Sequence, residues 1–112
     1  AEIGNGLALY HPTGVVVGPS VSIGKNCIIQ QGVTLGGDGR PVEDYSRVAA
    51  PAIGDGVLLG AGSRVLGGVT IGTGATVGAN AVVRINVPAG QMAVGVPARL
   101  LPGRQEPKGD SL

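Results

Sequence analysis

The chain has no tryptophan and no phenylalanine, and only Tyr10 and Tyr45 carry aromatic rings. Large rings normally supply much of a globular core, so this interior must be built from aliphatic side chains. Cys27 is the only cysteine, which excludes an internal disulfide. His11 is the only histidine, so a zinc site made of several histidines of one chain is excluded. No long run of like charge is present and the formal net charge is +1. That leaves no electrostatic case for nucleic acid or a membrane surface. No apolar stretch approaches a bilayer span, and no signal peptide is visible. The simplest reading is one modest, cytoplasmic domain. The chain opens with Ala-Glu-Ile, without Met and already inside a repeating pattern. It therefore reads as a processed or truncated piece of something longer.

What is abundant is patterned. An aliphatic residue recurs at Ile3, Leu9, Val17, Ile23, Ile29 and Leu35, then at Ile53, Leu59, Val65, Ile71, Val77 and Val83. The steps are six residues, except for eight after Leu9 and eighteen after Leu35. Glycine follows the aliphatic residue in eight of the twelve hexads, as turn residues at regular corners would. A hexad is too short for a domain or a helical repeat. Stacked hexads form a β-solenoid, in which each coil buries its inner residues only against its neighbours. Val and Ile, which dominate the beat, favour strands. Three hexads make a coil of about eighteen residues, and about five coils stacked at about 4.8 Å make a prism on the order of 24 Å tall.

The residues that replace glycine after the beat are Tyr10, Gln30, Leu66 and Arg84. Counting the long gap as three steps puts all four on one phase of three, hence on one side of a triangular coil. The same count sends residues 36–52 once around the solenoid, with part of the segment bulging outward. Two departures break the repeat: the extra pair of residues between Leu9 and Val17, and the Gly-, Pro- and Asp-rich segment from Gly36 to Pro51. Departures from a rigid repeat are where function concentrates. The expected organisation is a solenoid domain over 1–101 with a protruding loop at 37–51, followed by a flexible tail over 102–112.

Three segments carry a family resemblance. Residues 10–37, from Tyr-His-Pro-Thr-Gly to Val-Thr-Leu-Gly-Gly, resemble the serine acetyltransferase branch of the hexapeptide-repeat acyltransferases. Ile53-Gly-Asp-Gly-Val-Leu-Leu-Gly-Ala-Gly62 and Ala93-Val-Gly-Val-Pro-Ala-Arg99 continue the likeness in order. The resemblance implies an all-β, left-handed parallel β-helix, a homotrimer, and acetyl-CoA as co-substrate without a metal. It implies His11 as the catalytic histidine. Gly37, Ala61 and Ala79 match small residues along the CoA groove, and Gly95 to Arg99 match the segment near the CoA nucleotide. Where the family carries Asp before the histidine, this chain has Tyr10; where it carries Arg-His-Pro, this chain has Ala49-Ala50-Pro51. By the resemblance, the donor half is kept and the serine half is rebuilt or absent.

The chemistry follows from residue types. An imidazole exchanges protons near neutral pH, so it can take the proton of an acceptor hydroxyl attacking a thioester. The plain alternative for His11 is a corner histidine with a structural hydrogen bond. Gly37, Ala61 and Ala79 either admit a pantetheine arm or merely fit tight turns. Tyr10, Gln30 and Gln31 stand near His11 by the coil count, as substrate contacts or as solvated residues. Arg40, Glu43, Asp44 and Arg47 either pair among themselves in the loop or meet acceptor or phosphate. Arg99 suits a CoA phosphate, and Cys27 falls at a small inward position. The expected activity is acetyl-CoA-dependent O-acetyl transfer to a small-molecule acceptor with His11 as general base. A sugar or polysaccharide O-acetyltransferase and a non-catalytic hexapeptide scaffold remain as alternatives. A surface-binding solenoid needs a regular threonine ladder, and Thr13, Thr34, Thr70, Thr73 and Thr76 do not recur at one coil position.

Overall fold

The computed structural model describes residues 1–39 and 49–103. Every regular element among them is a short β-strand. In chain order these are β1 (Glu2–Ile3), β2 (Ala8–Tyr10), β3 (Val16–Val17), β4 (Ser22–Ile23), β5 (Ile28–Gln30), β6 (Thr34–Gly36) and β7 (Ala52–Ile53). They continue as β8 (Leu58–Leu59), β9 (Arg64–Leu66), β10 (Thr70–Ile71), β11 (Thr76–Val77), β12 (Val82–Val83), β13 (Met92–Val94) and β14 (Arg99–Leu101).

Consecutive strands never pair along the repeat; every third one does. The first face stacks β1-β4-β7-β10, the second β2-β5-β8-β11-β13, and the third β3-β6-β9-β12. These contacts are parallel and in register, as in Ile23↔Ile53 and Ile29↔Leu59. The chain therefore winds through three flat sheets, a parallel β-helix of triangular section. The bridge Ile71↔Val87 adds a fifth rung to the first face. At the C-terminal end β14 turns back and pairs antiparallel with β13.

The core is a set of aliphatic ladders. Ile23, Ile53, Ile71 and Val87 stack on one face, and Ile29, Leu59, Val77 and Ala93 on the next, all buried. Leu35, Val65 and Val83 complete the third. The residue two before each rung also points inward, as Val21, Cys27, Val33, Val57 and Ala75 do. Full burial of one such aliphatic side chain contributes roughly 1.5–3 kcal/mol. Ile3 and Leu9 keep the inward phase but are 51% and 46% exposed, because the first coil has a neighbouring coil on one side only.

Glycine follows the beat for a packing reason. A Cβ on Gly60 would stand 2.8 Å from the Ala79 nitrogen and the Val77 oxygen of the next coil, closer than real side chains approach backbone. Tyr10, Gln30 and Leu66 escape this because β2, β5 and β9 each run one residue longer and carry those side chains outward.

The single-phase reading of the four exceptions does not hold. Tyr10 pairs with Gln30 on the second face, whereas Leu66 pairs with Gly36 on the third. Arg84 follows Val83, which pairs with Val65 on that same third face. The cause is the excursion between Gly36 and Ala52. Across it the ladder advances by a single corner: β6 on the third face is followed by β7 on the first, as at every other corner. Arg40, Glu43, Asp44 and Arg47 lie outside the described residues, as do residues 104–112 of the expected tail. The inward pattern also outlasts the hexad beat, since Val87 and Ala93 are buried at 2% and 0% exposure.

Candidate active site

The corner joining the second face to the third gathers most of the chemically interesting residues. The extra pair of residues in the first coil is absorbed there. Leu9 precedes its partner Ile29 by 20 positions, while Val17 precedes Leu35 by 18. The surplus falls within His11–Val15 and makes this corner wider than those below it. His11 is exposed and adopts φ +52°, a left-handed conformation uncommon for a residue with a side chain. Its carbonyl accepts the Thr13 N–H at 2.6 Å, and the Thr13 carbonyl accepts the Gly32 N–H at 2.9 Å. The imidazole is thus carried on a tight turn that is tied to the second coil.

Tyr10 immediately precedes it and is 53% exposed. Its register partner Gln30 is half-buried and flanks the fully buried Ile29, so both side chains leave the outer surface of the second face. The Gln30 carboxamide oxygen accepts the Ala61 N–H at 3.0 Å. Gln31 occupies the corner itself and is exposed.

Below these residues the corner is narrow and small. Gln31, Ala61 and Ala79 stack directly: the Gly62 N–H bonds the Gln31 carbonyl and the Asn80 N–H bonds the Ala61 carbonyl, both at 2.8 Å. The Ala79 carbonyl has no such partner among the described residues. Beneath Ala79 lies the turn Gly95-Val96-Pro97-Ala98, with a cis Val96–Pro97 bond and Gly95 at φ +93°. Val82 clamps it, donating to the Gly95 carbonyl and accepting from the Ala98 N–H, each at 3.0 Å. Arg99 follows on β14, exposed and opposite Val94. From His11 to Gly95 is four coil spacings, on the order of 19 Å.

Tyr10, His11, Gln30, Gln31, Ala61, Ala79, Gly95 and Arg99 therefore line one corner and its adjoining edge. Gly37 does not join them. It follows β6 and begins the corner between the third and first faces. A cavity of about 440 Å³ opens there, lined by Asp38, Leu66, Gly67, Gly68, Val69 and Arg84. Arg84 and Asp38 were not singled out as site residues by the repeat, because the misplaced phase put Arg84 on another face. Cys27 is fully buried, with its Sγ donating to the Gly54 carbonyl at 3.1 Å. No group of three or more His, Cys, Asp or Glu that could hold a metal occurs among the described residues. Likewise, no helix among them is long and apolar enough to cross a membrane.

Two family models match the chain: "Bacterial transferase hexapeptide (six repeats)" over residues 44–84 and "Hexapeptide repeat of succinyl-transferase" over residues 13–38. The mitochondrial serine acetyltransferase 3 of Arabidopsis thaliana is 49% identical over 108 residues, which is 96% of this chain. The chain belongs to the hexapeptide-repeat acyltransferases, in their serine acetyltransferase-like branch. Its prism is accordingly a left-handed parallel β-helix. Soybean serine acetyltransferase, solved with serine, superposes with a TM-score of 0.82 at 52% identity, covering 89% of this chain and 40% of that one. A serine acetyltransferase solved with CoA superposes with a TM-score of 0.79 at 41% identity, covering 89% and 39%. The chain spans 27–40% of the length of the curated relatives it matches.

Down this corner His11 stands at the wide first coil, Gln31, Ala61 and Ala79 follow below it, and Arg99 ends the column. Ala61 and Ala79 leave room at this corner that larger side chains would fill.

Proposed function

We propose that this chain is the catalytic domain, residues 1–101, of an acetyl-CoA-dependent O-acetyltransferase. The observation that carries the reading is His11, exposed in a left-handed turn at the head of a column of small residues. Strained residues of this kind concentrate at functional sites. The carrier arm would lie against Gln31, Ala61 and Ala79, with Gly95 and Arg99 at its nucleotide end. A guanidinium suits phosphate oxygens there.

Acetyl-CoA supplies the acyl group as a thioester when bound. The imidazole of His11 accepts the proton of the acceptor hydroxyl while the hydroxyl oxygen bonds to the thioester carbon. The carbon–sulfur bond breaks, and the imidazolium returns its proton to the departing sulfur. Base catalysis of this kind typically contributes about 10²–10⁴-fold.

The assembly in this reading is a homotrimer, and Gly37 supports it. It lies at a different corner of the prism from the other groove residues, so it reaches a groove only from a neighbouring copy. A three-fold ring uses head-to-tail interfaces, which bring unlike corners of adjacent subunits together. The compartment in this reading is the cytoplasm. The experiment is a calorimetric titration with CoA alongside sedimentation equilibrium. We expect one CoA per chain and a mass three times that of the chain. No CoA binding would leave a non-catalytic scaffold as the better account.

A further inference from the structure

The corner between the third and first faces carries a column of its own. Counted from the first coil, Gly37 belongs to the second coil, Gly67 to the third and Arg84 to the fourth. The pairings Leu35↔Val65 and Val65↔Val83 fix these heights. Gln31, Ala61 and Ala79 belong to the same second, third and fourth coils, at the corner under His11. The two columns stand at opposite edges of the third face, so one copy cannot close both around a ligand.

The cavity of about 440 Å³ opens along the column of Gly37, Gly67 and Arg84. Its two ends differ in charge. Asp38 stands at the upper end, where a Cβ on Gly67 would lie 3.4 Å from a carboxylate oxygen. Arg84 lines the lower end and is exposed, without an ion-pair partner among the described residues. Such a cavity suits a ligand whose anionic groups lie at one end only. A three-fold axis along the prism keeps equal coils at equal heights, and head-to-tail contacts bring unlike corners together. Arg84 of the neighbouring copy then stands level with Ala79, three coil spacings below His11, on the order of 14 Å. The pantetheine arm of CoA has about thirteen bonds from its sulfur to the nearer phosphorus. At about three bonds per residue-length of extended chain, that arm spans on the order of 15 Å. With the sulfur at His11, the diphosphate falls at the height of Arg84.

We infer that Arg84 reaches across the subunit boundary and binds the diphosphate of the CoA held in the neighbouring copy's groove. This rests on the transferase and trimer reading above and adds a binding residue to it. The planar guanidinium presents two N–H groups to two phosphate oxygens at once. Asp38 lies toward the thiol end of the arm, away from the phosphates. Each copy thus gives one cation, Arg99, to its own nucleotide and another, Arg84, to its neighbour's.

The test is calorimetric and uses the full chain, with CoA as one ligand and pantetheine, which lacks the diphosphate, as the other. In Arg84→Gln we expect the CoA Kd to rise about tenfold while the pantetheine Kd stays within about twofold. Sedimentation should show the trimer mass unchanged. An unchanged CoA Kd, or an equal loss for pantetheine, would overturn the assignment. Mixed trimers decide which copy Arg84 serves. Ala79→Trp fills the groove of its own chain. Co-expressed with Arg84→Gln, it leaves some sites with an open groove and an intact Arg84 from the neighbour, so a class of tight CoA sites should reappear. Weak sites alone would place Arg84 beside its own groove and overturn the crossing. A monomer that binds CoA tightly would also sink the contact across copies, yet spare the transferase reading. No CoA binding by the unaltered chain would bring down that reading and this inference with it.

Discussion

The carboxamide oxygen of Gln30 accepts the backbone N–H of Ala61 at 3.0 Å, bridging two coils across 31 positions of sequence. Side chains join coils elsewhere too, as where the Asp55 carboxylate accepts the Lys25 N–H at 2.7 Å. The Gln30 bond ties the register partner of Tyr10 to the corner residue of the next coil. Removing it in Gln30→Ala leaves a partly buried donor unpaired, and should lower stability by about 1–3 kcal/mol. Chemical denaturation would measure this. Gln30→Glu keeps an acceptor oxygen and should lose less. Equal losses in the two variants would show that the bond contributes little.

His11 should separate chemistry from binding. In His11→Ala we expect turnover to fall by about 10²–10⁴-fold, with CoA affinity nearly intact, because a base acts on the acceptor hydroxyl and not on the carrier. Steady-state kinetics and calorimetry on the same preparation decide it. Near-normal turnover would remove His11 from the mechanism.

Ile71 tests the core. It is fully buried between Ile53 and Val87. Ile71→Ala should cost about 2–5 kcal/mol. Ile71→Asp places an unpaired carboxylate inside the prism, where no water reaches it, and should prevent assembly. Size-exclusion chromatography of the soluble fraction reads this directly. A soluble, native-size particle from Ile71→Asp would mean that the interior tolerates charge.

Gly60 and Gly36 make a matched pair. Both follow a beat residue, yet a Cβ on Gly60 would press on the backbone of the next coil at 2.8 Å, while one on Gly36 would meet nothing within 4 Å. We expect Gly60→Ala to lose about 1–3 kcal/mol and Gly36→Ala to stay within about 0.5 kcal/mol. Melting curves of the two variants, side by side, provide the check.

Much of this was legible before any coordinate. Ile23, Ile29, Leu35, Ile53, Leu59, Val65, Ile71, Val77 and Val83 carry the beat, and all are buried at 4% exposure or less. A repeat whose every rung faces inward advertises its core in plain periodicity. What periodicity could not resolve was phase across the excursion. Leu35 and Ile53 stand eighteen positions apart, a whole coil's worth, so a full turn and a single corner step look identical by counting. The contacts chose the corner step, which separated Leu66 and Arg84 from Tyr10 and Gln30. Val87 and Ala93 were missed for a related reason: Val87 follows Val83 by four residues instead of six, and Ala93 is small. Of the candidate site, the column under His11 was legible because stacking carries one corner straight down the prism. The tie between Gln30 and Ala61 was not, since nothing in sequence spacing reveals which way a carboxamide folds.

Ile53 follows Ile23 by 30 positions and precedes Ile71 by 18, yet all three sit in register on one face. The surplus of twelve residues falls between Gly36 and Ala52 and leaves the register on either side unchanged. Closing a longer loop costs little, about 0.6 kcal/mol per doubling. Coils above and below keep their partners whatever is spliced in between. Such a scaffold can exchange the segment between Gly36 and Ala52 for one of another length while the ladders on either side keep their partners. Change at that corner is then a matter of grafting, not of refolding.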